Sequence, residues 1–397
     1  MTRSRRRIPL VAHVIHALRM GGLENGLVNL VNRTPQTRYR HAIVCMTGHD
    51  RFAERIERDD VELFAIGKRP GKDPDAYRRL WQLFRRLRPD VAHTRNLAAL
   101  DAHVPAFVAG VPARVHGEHG RDMVDLDGSN RRYRLLRRAM RPLIHHWIPL
   151  SADLEAYLRD DIGVPTGRVT RIRNGVDVSR FRPVPGAAER LRAAQGWHPD
   201  TTVVGWVGRM EPVKNPLGLV EAVASLVSDE PALRDRIGLV LVGDGSERGA
   251  VEQALSAAGL RDRAWLAGAR DDVPELLAAL DLFVLPSRAE GISNTILEAL
   301  ACGVPVLAYA VGGNAELLGN EGCGSILPPG DTAALAQAIG EWAGDSDRRR
   351  VSREVARRRA EREFSMEAMV AAYMDVYDRV LDRSGGRARA ARQSGIV

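Results

Sequence analysis

The sequence predicts an α/β protein made of two doubly wound parallel sheets facing a central cleft. Three observations carry that prediction. Short, uninterrupted apolar runs alternate with segments of helical periodicity, as strands buried on both faces and their crossover helices require. The alternation weakens over residues 177–201, where Pro183, Pro185, Gly186, Gly196 and Pro199 accumulate, and then restarts. A length of 397 residues suits two domains, and 45% hydrophobic content is ample for two cores.

In the first half, strands are expected at 9–15, 41–46, 61–65, 90–94, 113–117 and 147–150. In the second they are expected at 203–207, 237–242, 264–266, 282–285 and 304–308. Helical patterns fall between them at 23–32, 75–87, 216–226, 247–258 and 273–279. Residues 351–362 form a charge-rich helical pattern. Residues 365–381 form another, with Met366, Met369, Val370, Tyr373, Val376, Tyr377 and Val380 at helical spacing. The tail, 384–397, lacks periodicity and is expected to be disordered. The expected domains are therefore 1–182 and 183–364, followed by a helix at 365–383 and the tail.

Net charge is +8, from 58 Lys and Arg against 50 Asp and Glu, and the excess is arginine in local clusters. Three cysteines, Cys45, Cys302 and Cys323, point to a reducing cytoplasm rather than a disulfide framework. The apolar run at 8–12 is too short for a secretory signal, and no run of about 18 apolar residues predicts a membrane span. Aromatic residues make up 5% of the chain and no nucleic-acid-binding motif accompanies the arginines, so nucleic acid is not an expected partner.

Ligands in doubly wound sheets bind beyond the carboxyl ends of strands, and five segments there carry chemistry. The most informative, 286–300, reads PSRAEGISNTILEAL and follows the apolar run 281–285. It places Glu290 in a loop, Ser293 at a helix N-cap and Glu298 inside the helix, which ends at Gly303. Gly291, Ile292, Ser293 and Asn294 then surround a helix N-terminus, a place suited to an anion, between two carboxylates suited to sugar or ribose hydroxyls. Arg209 and Lys214 follow the first strand of the second half, where two cations can neutralise a diphosphate. Gly243 in the sequence GDG lets a nucleotide approach, and Arg270 lies in a turn that can flank a base; Asp272 reads equally as an N-cap. In the first half, Gly21 and Gly22 open a helix after the first strand. His119, in the run HGEHGRD at 116–122, is the histidine expected to contact sugar, whereas His116 can be buried.

Taken together, these residues resemble the GT-B-fold retaining glycosyltransferases of family 4. Gly21–Gly22, His119, Arg209 with Lys214, Gly243–Gly245 and Glu290 with Glu298 carry the resemblance, and the segment NGVD at 174–177 adds to it. The strings at 21–30, 93–100, 116–122 and 290–299 also resemble sugar transferases of the exosortase (PEP-CTERM) exopolysaccharide systems of bacteria. The resemblance spans about residues 8–382. It implies two Rossmann-like domains, with the C-terminal helix returning to the first. It implies a nucleoside-diphosphate-sugar donor and a saccharide acceptor, lipid-linked or free. Arg209 and Lys214 would hold the diphosphate, Glu290 the sugar hydroxyls, Glu298 the ribose, and His119 the sugar from the N-terminal side. Transfer would retain the anomeric configuration.

No cofactor or metal is implied, since the nucleotide sugar is a substrate. Asp73 with Asp75 and Asp125 with Asp127 have metal-binding spacing but follow no convincing strand. Arg131 to Trp147 is basic and studded with apolar residues, and 78–88 repeats the pattern, so an anionic membrane surface is a candidate partner. The bland alternative is a surface helix with its apolar side in the core. The expected location is the cytoplasm, or the inner face of the plasma membrane. A GT-B-fold epimerase and a non-catalytic nucleotide-sugar-binding subunit are the competing functions.

Overall fold

The computed structural model describes residues 7–120, 125 and 128–393. Met1–Asn174 with Met366–Val397 form one compact unit, and Gly175–Ser365 form a second. The first holds strands β1 (Leu10–Ile15), β2 (Arg40–Cys45), β3 (Glu62–Ala65), β4 (Val91–Arg95), β5 (Ala113–Glu118) and β6 (His146–Pro149). The second holds β7 (Thr202–Val207), β8 (Ile237–Val242), β9 (Ala264–Gly268), β10 (Leu282–Leu285), β11 (Val306–Tyr309) and β12 (Gly324–Leu327). Every strand pairing is parallel. The orders are β3-β2-β1-β4-β5-β6 and β12-β11-β10-β7-β8-β9. Numbered from its own first strand, the second sheet has the same doubly wound order as the first. Each reverses direction between its first and fourth strands, where the loops diverge and leave room for ligands.

The inner strands are buried and rich in Val, Ile and Leu without alternation: β1, β7, β8 and β10 are buried at every residue. β12 is the one strand not anticipated. Its sequence, GSIL, is half-exposed at a sheet edge and too weakly apolar to stand out.

The last helix, Met366–Gln393, belongs to the first unit. Met366, Met369, Val370, Tyr373, Val376, Tyr377 and Val380 pack against Val11, Val91, Val115 and Ile148 of the sheet. Burying each such side chain stabilises by roughly 1.5–3 kcal/mol, so packing rather than propensity fixes this helix. It continues through Gln393, so residues 384–393 are helical rather than disordered. Alanine and arginine, both strong helix formers, dominate 387–392. The remaining tail, 394–397, lies outside the described residues.

Two further expectations are corrected. The weak zone at 177–201 is not a linker: it includes the helix Ala187–Ala194 and folds within the second unit, whose boundary falls at Asn174/Gly175 rather than at 182/183. The basic stretch 131–147 is not one amphipathic helix. A helix covers Arg131–Met140, a turn covers Arg141–Leu143, and Trp147 lies fully buried in β6. Leu136 and Met140 pack inward, and Arg137 is buried. Arg138 and Arg141 donate to the carbonyls of Asp161, Ile162 and Gly163. No helix among the described residues is long and apolar enough to cross a membrane.

Candidate active site

In the second unit the loops after β7, β8 and β9 are laced together by main-chain hydrogen bonds. Gly208 donates to Val242 at 3.0 Å, Met210 to Asp244 at 2.8 Å and Gly243 to Gly268 at 2.8 Å. Gly243 sits at φ +133°, and a Cβ there would stand 1.8 Å from the Gly208 carbonyl oxygen. The glycine expected to admit a nucleotide is thus required by the neighbouring loop. Arg209 projects from this lacework: its side chain is exposed and bonds to no described residue.

Lys214 lies just before the helix Pro216–Asp229, whose N-cap Asn215 takes left-handed geometry at φ +51°. Asn215 anchors the turn by donating to the Pro286 carbonyl at 3.1 Å, and Arg288 N donates to the Val213 carbonyl at 2.9 Å. The β7 and β10 loops are therefore joined, which brings Lys214 Nζ to 2.6 Å from Glu290 Oε1. Glu290 is only 7% exposed and Lys214 24%, so a charged pair is held largely out of water.

Beneath Glu290 runs Gly312, at φ +54°, where a Cβ would meet the Glu290 carbonyl oxygen at 2.0 Å; Gly313 N donates to the Gly291 carbonyl at 2.8 Å. The sequence reading passed over this Gly-Gly pair, although the same signature after β1 singled out Gly21 and Gly22. Ser293 caps the helix Asn294–Ala301 by accepting from Ile296 N, and Ile292 is buried. Glu298 lies half-buried within that helix, and Gly303 follows it at φ +71°. Arg270, expected to flank a base, forms an exposed two-pronged pair with Asp272 at 2.6 and 2.8 Å. Asp272 uses its carboxylate there and does not cap the following helix with it.

In the first unit the corresponding strand ends hold histidines. His119 N donates to Asn96 Oδ1 at 2.7 Å, and Asn96 N donates to the Gly117 carbonyl at 2.8 Å. Asn96 holds φ +57°, a strained value for a non-glycine residue. His119 retains some surface, but its Nε2 is sealed from solvent and hydrogen-bonds to no described residue. Burial, and then the charge of Arg95, push its pKa down to about 3, so the ring is neutral at pH 7. His93 is also buried and neutral, for the same two reasons in the same order, and pairs with the Tyr377 hydroxyl at 2.7 Å. His13 lies between Arg95, at 3.0 Å, and His41, at 2.9 Å.

His116 is fully buried, between Thr94 at 2.6 Å and Glu118 at 3.3 Å. Burial would raise the Glu118 pKa, but Arg137 at 2.7 Å and His116 outweigh it and hold it at about 2. Gly21 is the N-cap of the helix Gly22–Arg33 in extended geometry, and a Cβ there would stand 2.2 Å from Glu24 Oε2. Asp73 caps the helix Pro74–Leu87 and Asp125 accepts from Asn130 N, so both serve their own loops. Arg121, Asp122 and Asp127 lie outside the described residues.

Comparison with known proteins bears on the fold and the family. A family model described as glycosyl transferases group 1 matches residues 187–359, and one described as Glycosyltransferase Family 4 matches residues 20–180. The chain is 28% identical over 283 residues to an Escherichia coli UDP-Gal:alpha-D-GlcNAc-diphosphoundecaprenol alpha-1,3-galactosyltransferase, covering 68% of this chain and 70% of that one. It is 38% identical over 178 residues to the 2-deoxystreptamine N-acetyl-D-glucosaminyltransferase of Streptomyces fradiae, covering 44% of this chain and only 41% of that enzyme. Among solved structures, HepE of Anabaena in complex with UDP superposes with a TM-score of 0.78 at 22% identity, over 93% of this chain and 99% of that one. A glycosyltransferase from Rickettsia africae gives a TM-score of 0.80 at 18% identity, over 94% and 99%. At these identities the superpositions speak for the fold, which is GT-B.

Proposed function

This chain belongs to the family 4 glycosyltransferases, and from that premise we propose that it moves a sugar, with retention of configuration, from a nucleoside diphosphate to a saccharide acceptor. The observation that carries the reading is the Lys214–Glu290 pair at 2.6 Å, with exposed Arg209 on the adjoining loop. The cations hold the donor diphosphate and stabilise the charge that develops as it leaves; such electrostatic stabilisation is usually the largest catalytic contribution. The N-terminus of Asn294–Ala301 adds its dipole at the same place. Glu290, oriented by Lys214, holds donor-sugar hydroxyls, and Glu298 holds the ribose. His119, neutral and so able both to donate and to accept, contacts the sugar. The acceptor attacks the face from which the diphosphate departs, and a phosphate oxygen takes its proton. No metal takes part in this scheme.

A UDP-sugar is the first donor to try, because the E. coli relative is named for one and for a diphosphoundecaprenol-linked acceptor. A lipid-linked acceptor fits the exposed face of Arg131–Met140, which shows Arg131, Arg132 and Leu135, the last 68% exposed. Phe107 and Val108 stand exposed on the helix His103–Val108, which touches the turn Arg141–Leu143. Binding to anionic vesicles that weakens with salt is the expected behaviour; failure to bind at any ionic strength removes the membrane from the proposal. The exopolysaccharide role rests on the strings at 21–30, 93–100, 116–122 and 290–299 alone.

The decisive experiment is a panel of nucleotide sugars, read by melting-temperature shift and donor hydrolysis, with the anomer of the product fixed by NMR. An inverted product refutes retention, and a panel in which no donor binds refutes the whole reading.

A further inference from the structure

We infer that Gly117 and His93 position the imidazole of His119. The inference rests on the reading of His119 as a sugar contact. Gly117 lies near the carboxyl end of β5, an inner strand, with no positive φ, so its backbone does not demand glycine. Glycine inside a strand weakens it and often marks a close approach. Here the approaching group is a side chain. A Cβ on Gly117 would stand 2.6 Å from Nε2 and 3.0 Å from Cδ2 of His119, and 3.3 Å from Nε2 of His93. The two rings close over one bare Cα.

Neither the main chain nor the second ring has room to yield. The His119 backbone is tied to Asn96 Oδ1, and Asn96 is tied back to the Gly117 carbonyl. His93 is held from behind by Tyr377, on the helix Met366–Gln393. Both Nε2 atoms are buried, bond to no described residue and point to the same spot. A methyl group at 117 therefore has one effect, which is to drive the His119 ring out of place.

Three variants test this: Gly117→Ala, His119→Ala and the double. Turnover with the donor found in the panel should fall in Gly117→Ala about as far as in His119→Ala, on the order of 100-fold for a displacement of about 1 Å. The double variant should fall no further, and its melting temperature should equal that of His119→Ala, because the clash has gone. If Gly117→Ala alone folds poorly, recovery of its folding by His119→Ala supports the inference equally. Wild-type turnover in Gly117→Ala, or losses that multiply in the double variant, overturns it. Should His119→Ala keep wild-type turnover, the sugar-contact role fails. The position of the ring is then judged from ¹⁵N-histidine spectra. Shifted His119 and His93 ring signals in Gly117→Ala uphold the inference; unmoved signals overturn it.

Discussion

Lowering the pH from 7 to 5 should unfold the first unit while leaving the second intact. Ten of the 11 histidines lie in the first unit, and the second has only the exposed His198. His41 and His119 have pKa values pushed down to about 3, and His146 to about 4, in each case chiefly by burial. In the unfolded chain all three return to about 6.5. The folded values are depressed, so the unfolded chain binds more protons between pH 6.5 and 3. Stability is complete above about 6.5 and is lost as pH falls through that window. At pH 5 each group has lost about 2 kcal/mol, and the three together about 6 kcal/mol. His13, His93, His103 and His116 shift in the same direction and add to the loss. A domain has only about 5–15 kcal/mol to lose. Carboxylates, with unfolded values near 4, contribute little above pH 5. Urea titration at pH 7, 6 and 5, followed by hydrogen exchange resolved by unit, measures the effect directly. A first unit whose midpoint does not move between pH 7 and 5 would show that the histidines are solvated and the reasoning wrong.

The other predictions concern the site and the last helix. Lys214→Ala removes a cation from the diphosphate and leaves Glu290 buried without its partner; kcat should fall about 10²–10³-fold, and unchanged kcat would refute the role. Glu298→Ala should weaken nucleotide binding in calorimetry, whereas a loss confined to the chemical step would refute the ribose assignment. Donor turnover should persist in excess EDTA, and strong inhibition would refute metal independence. Ending the chain after Ser365 removes the seven buried apolar side chains from Met366 to Val380 and should abolish cooperative unfolding of the first unit. A first unit that melts as before would contradict the packing argument.

The architecture was legible because it follows from burial. Strands covered on both faces are mostly apolar, and β7, β8 and β10, buried along their whole length, show it most plainly. β12 escaped because an edge strand with glycine and serine needs no such run. Residues 177–201 misled for a related reason: proline and glycine mark turns, and a turn-rich segment can fold against its own unit as readily as it can bridge two. The tail misled because absence of an apolar stripe does not prevent an alanine- and arginine-rich segment from extending a docked helix. Arg131 to Trp147 misled because composition cannot separate arginines that face solvent from Arg137, which faces Glu118. In the site, residue types announced Lys214 and Glu290, but not their pairing. Gly243 and Gly117 show the limit most clearly. A glycine at a strand end says that something comes close, and only the structure tells whether that something is a ligand, a neighbouring carbonyl or a histidine ring.

The two units present different chemistry at equivalent strand ends, and the difference follows from what each has buried. The first surrounds Arg95 with imidazoles, whose proton uptake is opposed by burial first and by that guanidinium second. Its histidines stay neutral, able to accept and donate to hydroxyl groups without attracting an anion. The second keeps Arg209 exposed and matches Lys214 to a single carboxylate. A carboxylate oxygen that already accepts a hydrogen bond from an ammonium group at 2.6 Å has a lone pair engaged and is a poorer nucleophile for it. That argues for Glu290 as an acceptor of hydroxyl hydrogen bonds rather than as the group that attacks the sugar. On this view the carboxylate serves the lysine as much as the sugar. It holds Nζ at the end of β7 between encounters, and an arriving diphosphate can take over the ammonium without the side chain having to be found and ordered first.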